Sequence, residues 1–395
     1  MAKTAERKAL KKGKASFMLI GKAKVTDKTF NLDNSYDSGW TDNSMYIGID
    51  CGNGNTVFAE MRGGFFAGQE DTTVLRAYDK NEKDGEGRSK QVEIAWEDRL
   101  DESLLDSVSD SSLITVGVEK DVKGKTVYKK FLSQYDAIEY LNDYLEDGVV
   151  VNVKGNLKYS EYDGNVSAKK EITSIVLSKV EDESDFKATF SQAILVDSKS
   201  IGKKDEEKGT MALDAYVIDY VGSPKIDGEK VEIKKNVVFP ITFEVAINEK
   251  PEITAKMLQK FFKPKKKGTL NEITVVGNLI EGGSVVNITE DDIPDDIKEL
   301  IEMGLYSEEE AEKKCAVGNN NREKRMVILK PDIIYVGQGD ERKPTVPFDE
   351  GKYEEADLVF YAQVLADAGV ETDNDSEPTD NASEDDDLLA MLEGM

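Results

Sequence analysis

A helix that runs straight into a strand, written twice, constrains this chain more than any other feature. The first copy covers residues 133–159, SQYDAIEYLNDYLEDGVVVNVKGNLKY, and the second lies near residues 252–280, EITAKMLQKFFKPKKKGTLNEITVVGNLI. In the first, Ser133 and Asp136 have the S-x-x-D spacing of a helix start, where side-chain oxygens satisfy free backbone N–H groups. Ala137, Ile138, Leu141, Tyr144 and Leu145 recur at three and four residues and share one helical face. Gly148 suits the left-handed position that ends a helix, and a β-branched strand follows over residues 149–153. In the second copy Met257, Leu258, Phe261 and Phe262 mark the face, Gly268 follows, and Ile273, Val275 and Val276 lead onward. Both units finish on one pattern, Val153-x-Gly155-Asn156-Leu157 and Val275-x-Gly277-Asn278-Leu279. Two similar units predict two similar domains; two copies do not make a solenoid.

Length agrees with that, since 395 residues suffice for two or three domains, each with its own core. Histidine is missing altogether, and Cys51 and Cys315 are the only cysteines. This excludes a disulfide framework, a zinc site of Cys/His type, and histidine-based acid–base or nucleophilic catalysis. Counting leaves a carboxylate-bound magnesium site open, but no metal or cofactor is expected. No apolar run approaches the length of a membrane span, and the N-terminus lacks the order of a signal peptide, so a cytoplasmic location is expected.

The formal net charge is −27, unevenly spread. Residues 1–14 hold six Lys/Arg against Glu6, a basic arm that is either a solvated, disordered terminus or a phosphate contact. Residues 371–395 hold ten Asp/Glu and no Lys/Arg. An acidic middle counts against indiscriminate duplex binding, which needs a broad basic face, but leaves room for a local basic groove.

Along the chain, Phe17, Leu19, Gly21, Ala23 and Val25 alternate as a strand, and Thr29-Phe30 resumes it after a turn. The clearest hairpin follows. Met45, Ile47, Ile49 and Cys51 face one way and Tyr46, Gly48 and Asp50 the other, with Gly52-Asn53-Gly54-Asn55 as the turn. On the return, Val57, Ala59 and Met61 face inward while Phe58, Glu60 and Arg62 point outward with Tyr46. Such an aromatic pair with an arginine suits bases and phosphates; packing of Tyr46 and Phe58 under neighbouring loops is the other reading. IGIDCGNGNTVF also resembles the first phosphate-binding motif of actin-like and Hsp70-like ATPases, but a strand precedes it and no second Asp-x-Gly loop follows.

Residues 80–90 read as a mobile loop, 92–96 as a short strand and 100–108 as a short helix. Strands 113–118 and 126–132 pair around a tip, KDVKGKTVYKK, that carries five lysines and Tyr128. That composition suits a single nucleic-acid strand, or else merely solvates a sheet edge. Lys154, Lys158 and Tyr159 follow the first helix, and residues 170–179 close the unit. Strands, one helix, then two closing strands match the order of an elaborated OB-fold, a small Greek-key barrel that commonly binds oligonucleotides.

The second unit starts near Phe186, with strands at 188–196, 211–220 and 237–246, where Pro240 marks an edge or bulge. Six lysines and no acid lie between Lys256 and Lys267, placed for phosphates or for the negative end of the helix dipole. A helical pair is expected at 290–315, a closing strand at 325–336, and a helix at 354–368 with Leu358, Tyr361 and Leu365 on one face. The tail has too little apolar surface to fold, and ends in an acidic-then-apolar tip.

The predicted fold is therefore mainly β with a few helices: two tandem elaborated OB-like barrels plus a disordered acidic tail. Its divisions are a basic disordered arm (1–15), a first OB-like domain (16–181), a second with a helical insertion (185–340), a linker and helix (341–370), and the tail (371–395).

Two OB-like units, basic hairpins and an acidic tail with an apolar tip together resemble single-stranded-DNA-binding proteins, especially acidic ones encoded by bacteriophages. The tail carries the likeness in Asp385-Asp386-Asp387-Leu388-Leu389, without the Pro-Phe ending common in bacteria. The resemblance implies a non-enzymatic protein of phage DNA replication or recombination, working in a bacterial host's cytoplasm. It would cover single-stranded DNA and recruit replication or recombination proteins through the tail. Tyr46, Phe58, Tyr128 and Tyr159 would stack bases, and Arg62, Lys125, Lys130, Lys154, Lys158, Lys263, Lys265, Lys266 and Lys267 would contact phosphates. The alternatives are the ATPase, acting through the Asp50–Gly52 turn, and a structural phage protein that binds no nucleic acid.

Overall fold

A computed structural model describes residues 7–68, 73–85, 87–162, 164–226, 229–282, 298, 301, 323–337 and 342–368. The first half contains β1 (Ala15–Lys24), β2 (Phe30–Ser35), β3 (Trp40–Asp50), β4 (Thr56–Phe66), β5 (Val74–Lys83), β6 (Ser89–Ala95), α1 (Glu102–Ser107), β7 (Ile114–Lys120), β8 (Thr126–Phe131), α2 (Gln134–Tyr144), β9 (Val150–Tyr162) and β10 (Asn165–Leu177). The second contains β11 (Lys187–Val196), β12 (Ile201–Asp205), β13 (Thr210–Val221), the two-residue β14 (Lys225–Ile226) and β15 (Glu229–Lys230), β16 (Lys235–Ala246) and α3 (Pro251–Met257), which runs into a π-helical turn (Leu258–Phe262). It ends with β17 (Thr269–Gly282), β18 (Glu323–Pro331), β19 (Ile334–Val336), β20 (Lys343–Thr345), β21 (Phe348–Glu354) and α4 (Tyr361–Asp367).

Strand pairing closes two barrels of the same design. In the first, β1 pairs with β9 and then, past Lys22, with β3; β3 pairs with β4; β4 meets β10 in parallel at Glu60–Glu171; and β10 returns to β9. In the second, β11, β13, β16, β18 and β17 repeat this circuit, with β16–β18 as the parallel step. Four antiparallel steps, one parallel closure, and a helix between the third and fourth strands define the five-stranded OB barrel. The two barrels join edge to edge, β1 antiparallel to β11, so one sheet runs through both.

Alternation fills the interiors. Met45, Ile47 and Ile49 of β3 and Val57, Ala59 and Met61 of β4 are buried against Leu19, Val151 and Val153. Helix α2, N-capped by the Ser133 hydroxyl, plugs the first barrel with Ala137, Ile138, Leu141 and Leu145, while Tyr144 stays exposed. Leu258 and Phe262 do this for the second barrel. The repeated V-x-G-N-L strings occupy one position, the fourth barrel strand. Gly155 and Gly277 are required there, because a Cβ would lie 1.9 Å from the Glu171 carbonyl oxygen and 2.1 Å from that of Val327.

Several expectations change. Residues 80–90 belong largely to a hairpin, β5 with β6, whose Leu75, Ala77, Val92 and Ile94 pack with Val108, Leu113 and Leu132 in a small separate core. The arm is not a solvated terminus over residues 7–14. Leu10 is buried on the second barrel, Lys8 donates to Asp357, and the Lys12 and Lys14 ammoniums pair with Asp219 and Asp332. Helix 354–368 shortens to α4, since β21 adds to β17 and the chain bridges to β16 at Val238–Phe360. The 290–315 helical pair, Cys315 and the tail lie outside the described residues, Lys298 and Ile301 apart. No described helix is long and apolar enough to cross a membrane.

Buried polar contacts hold the barrels together. Lys170 pairs with Glu281, both side chains 8% exposed, and Glu281 also accepts the Phe58 N–H at 3.0 Å. Asn55 mimics a strand neighbour, donating to the Leu279 carbonyl and accepting from the Glu281 N–H, both at 2.8 Å. The Gly-rich turn that resembles a phosphate loop is thus seated on the second barrel. Asp50 meanwhile pairs with Lys24 and accepts from the Gly52 N–H.

Candidate nucleic-acid interface

Strands two and three of an OB barrel, with the loops around them, form the face that holds oligonucleotides in that fold. In the first barrel this face is the outer side of β3–β4. Tyr46 is 53% exposed, and its ring lies parallel to that of Phe58, centroids 5.1 Å apart at 8°. Gly48, opposite Phe58 in the register, makes room for it, since a Cβ there would come within 3.1 Å of the ring. Lys24 donates to Thr56 Oγ1 at one end, and Lys169 reaches Glu60 at 3.9 Å. Arg62 closes the other end. It donates to Asp42, which is fully buried, at 2.7 Å through Nε and to Tyr36 Oη at 2.8 Å. The hydrogen bond to Asp42 raises the Arg62 pKa further, so the guanidinium stays charged.

The equivalent face of the second barrel is roofed by the chain itself. Ile218 and Val238 point outward from β13 and β16 and are buried under Leu10, Tyr353 and Leu358, while Phe360 packs edge-on to Tyr216. What remains open there is a 560 Å³ cleft walled by Asp214, Lys170, Glu281, Lys324 and Arg325, with acids and bases mixed.

A second groove, of 610 Å³, crosses the seam between the barrels. The register builds it in two rungs: Lys154, Met18, Thr189 and Asn278 on one, Asn156, Ser16, Ser191 and Val276 on the other. The bulge residues Thr173 of β10 and Leu329 of β18 flank it, with Lys330 beside Val276.

The predicted site residues therefore do not form one track. Tyr46, Phe58 and Arg62 share the β3–β4 face. Tyr128, 61% exposed, lies over Gly117 three strands away, beside the exposed Lys125 and beside Lys130, which pairs with Asp110. Lys154 is exposed at the seam. Lys263, Lys265, Lys266 and Lys267 are exposed beyond α3, where Lys265 and Lys266 pair with Glu350 and Glu354.

Two assignments are corrected. Tyr159 is 6% exposed and cannot stack a base; its hydroxyl donates to Gln192 Oε1 at 3.0 Å, and burial pushes its pKa up. Its N–H and the Lys158 ammonium both turn to the buried Asp219, so Lys158 belongs to the junction between barrels. Asp385, Asp386, Asp387, Leu388 and Leu389 lie outside the described residues. Sequence reasoning missed Tyr36, Lys24, Lys330 and Asn278. Only Asn278 had a signal, its place in the repeated pattern. No group of three His, Cys, Asp or Glu side chains able to hold a metal occurs among the described residues.

The sequence profile of the YorF family matches residues 80–314, more than half of the chain. The chain belongs to the YorF family. Its matched region runs from within the β5–β6 hairpin through α2, β9, β10 and β11 to α3 and β17 of the second barrel. No curated protein matches this YorF-family sequence. Among solved structures it is similar to the wild-type single-stranded DNA binding protein from Thermus aquaticus, at 10% identity and a TM-score of 0.29, over 84% of this chain and 100% of that one. A deletion mutant of that protein gives 11% and 0.28, over 68% of this chain and 88% of that one. Similarity of that order carries no argument, and the OB assignment stands on the strand pairing.

Proposed function

We propose that this YorF-family protein binds single-stranded DNA without catalysing a reaction, laying the strand across the outer β3–β4 face of its first barrel. The observation that carries this reading is the Tyr46 ring, 53% exposed and parallel to Phe58 on the strand-two/strand-three face of the first barrel. Flat aromatic surface on a sheet accepts any base, because every base has a π-face. Lys24, Lys169 and Arg62 border the rings. The second barrel, its face roofed, acts as a buttress for the first.

The biological setting that fits is phage DNA replication or recombination in a bacterial cytoplasm. There the protein would shield single strands, and the acidic residues 371–395 would recruit partner proteins. Titration of fluorescent single- and double-stranded oligonucleotides at two salt concentrations tests the central reading. Tighter binding of the single strand, weakening steeply with salt, is expected. No binding of any oligonucleotide would contradict it and favour a scaffold that binds only proteins. Magnesium-dependent ATP hydrolysis lost in Asp50→Ala would favour the ATPase instead.

A further inference from the structure

We infer that the groove across the β1–β11 seam is a second contact for the same single strand, taking phosphates at Lys154 and Lys330 and a base between them. This rests on the single-strand reading above, but its residues come from β1, β9, β10, β11, β17 and β18, none of them from β3 or β4.

Three observations converge. First, the chain carries 79 Asp/Glu, and the cleft on the second barrel is walled by Asp214 and Glu281, yet among the described residues no carboxylate lines the seam groove. Lys154 and Lys330 are both exposed, and neither has a carboxylate partner among the described residues. The lysines of the lining suit an anion; the nearest carboxylates stand at the rim, Glu171 opposite Asn156 in the register and Asp332, which accepts from Ser191 Oγ and is paired with Lys14. Second, the lysines sit at diagonal ends. Four strand steps separate β9 from β18 through β1, β11 and β17, about 19 Å of sheet. That span is one for an extended polyanion rather than a lone phosphate. Third, what lies between is not charged. Met18 and Val276 give an apolar floor, and Asn156 and Asn278 present amides from matching positions of the two barrels. Amides can pair with base edges in either direction, since each carries donors and an acceptor.

The groove follows from the fold. Both fifth strands carry a bulge at the same place, Thr173 and Leu329, where one extra residue bends the strand and re-aims the next side chain. In the second barrel that next residue is Lys330, beside the groove.

Oligothymidines of two lengths, about six and about thirty nucleotides, separate the two sites, because one OB face covers roughly 4–16 nucleotides. They are titrated against the parent, Lys154→Ala/Lys330→Ala and Tyr46→Ala/Phe58→Ala, with melting curves to show that both variants fold. The seam variant is expected to bind the short strand like the parent. It should bind the long one more weakly, with a log–log salt slope shallower by about 1.4, the value for two lost phosphate contacts. An unchanged slope and affinity for the long strand would overturn the inference; a peptide occupant of the groove would give that result. Loss of long-strand binding in the seam variant alone, with the aromatic variant binding like the parent, would keep the seam and remove the β3–β4 site. A parent that binds neither length removes both.

Discussion

Phe17 of the first barrel faces Phe190 of the second across the β1–β11 pair, and each ring lies against a glycine of its own barrel's fourth strand, Gly155 and Gly277. Equivalent residues meet at the seam, so the barrels are related by a local twofold axis through these phenylalanines. The junction is an extension of both sheets, and strain at either glycine reaches both cores.

Gly277→Ala should therefore be costly. The new methyl would lie 2.1 Å from the Val327 carbonyl oxygen and 2.7 Å from the Phe190 ring, and neither can withdraw without moving the seam. A loss of about 1–3 kcal/mol or more is expected from overpacking, read as a lower urea midpoint. An unchanged midpoint would mean that the fourth strand has room the structure denies.

Lys170→Met should destabilise by about 3–5 kcal/mol, because it leaves the Glu281 carboxylate buried with only backbone donors. Equilibrium unfolding in urea, compared with the parent, checks this. A neutral substitution would show that the barrels do not depend on this pair.

How much of this was legible in the chain depends on the range of the contacts. The β3–β4 hairpin was readable because strict alternation and an Asn-Gly turn are local signals, and burial at Met45, Ile47, Val57 and Ala59 follows them. The duplicated pattern gave the second barrel because Gly155 and Gly277 answer one backbone clash. Tyr159 failed as a base platform because what covers it, Phe239 and Asp219, belongs to the other barrel. Lysine runs misled for that reason too. Lys265 and Lys266 look like a basic patch until β21 brings Glu350 and Glu354 alongside. The seam groove had no signal beyond Asn156 and Asn278, since it exists only where two sheets join.

Cys51 gives a pH prediction. Burial, reinforced by the nearby Asp50 carboxylate, pushes its thiol from 9.0 up to about 12. Above the ordinary value the unfolded thiol ionises while the folded one keeps its proton, so stability is full below about pH 9 and falls as pH rises towards 12. In a Cys315→Ser background, a thiol reagent at pH 8 should react only as the protein unfolds; rapid labelling of the native state would contradict the burial.

Arg62→Ala should lower stability by about 1–3 kcal/mol whether or not DNA is present, because it removes a charged donor from the buried Asp42 and leaves Trp40 and Asn34 to hold it. Thermal melts of Arg62→Ala and Asp42→Asn, each without DNA, separate this structural part from any phosphate contact. A parent-like melt for Arg62→Ala would assign the arginine to ligand binding alone.

The most direct test of the central claim is the affinity of Tyr46→Ala and Phe58→Ala for oligothymidine at one fixed salt concentration. Each stacked base contributes ~1–3 kcal/mol, so each variant should bind roughly tenfold more weakly or worse while melting like the parent. Parent-like affinity in both would show that the β3–β4 face does not hold the strand.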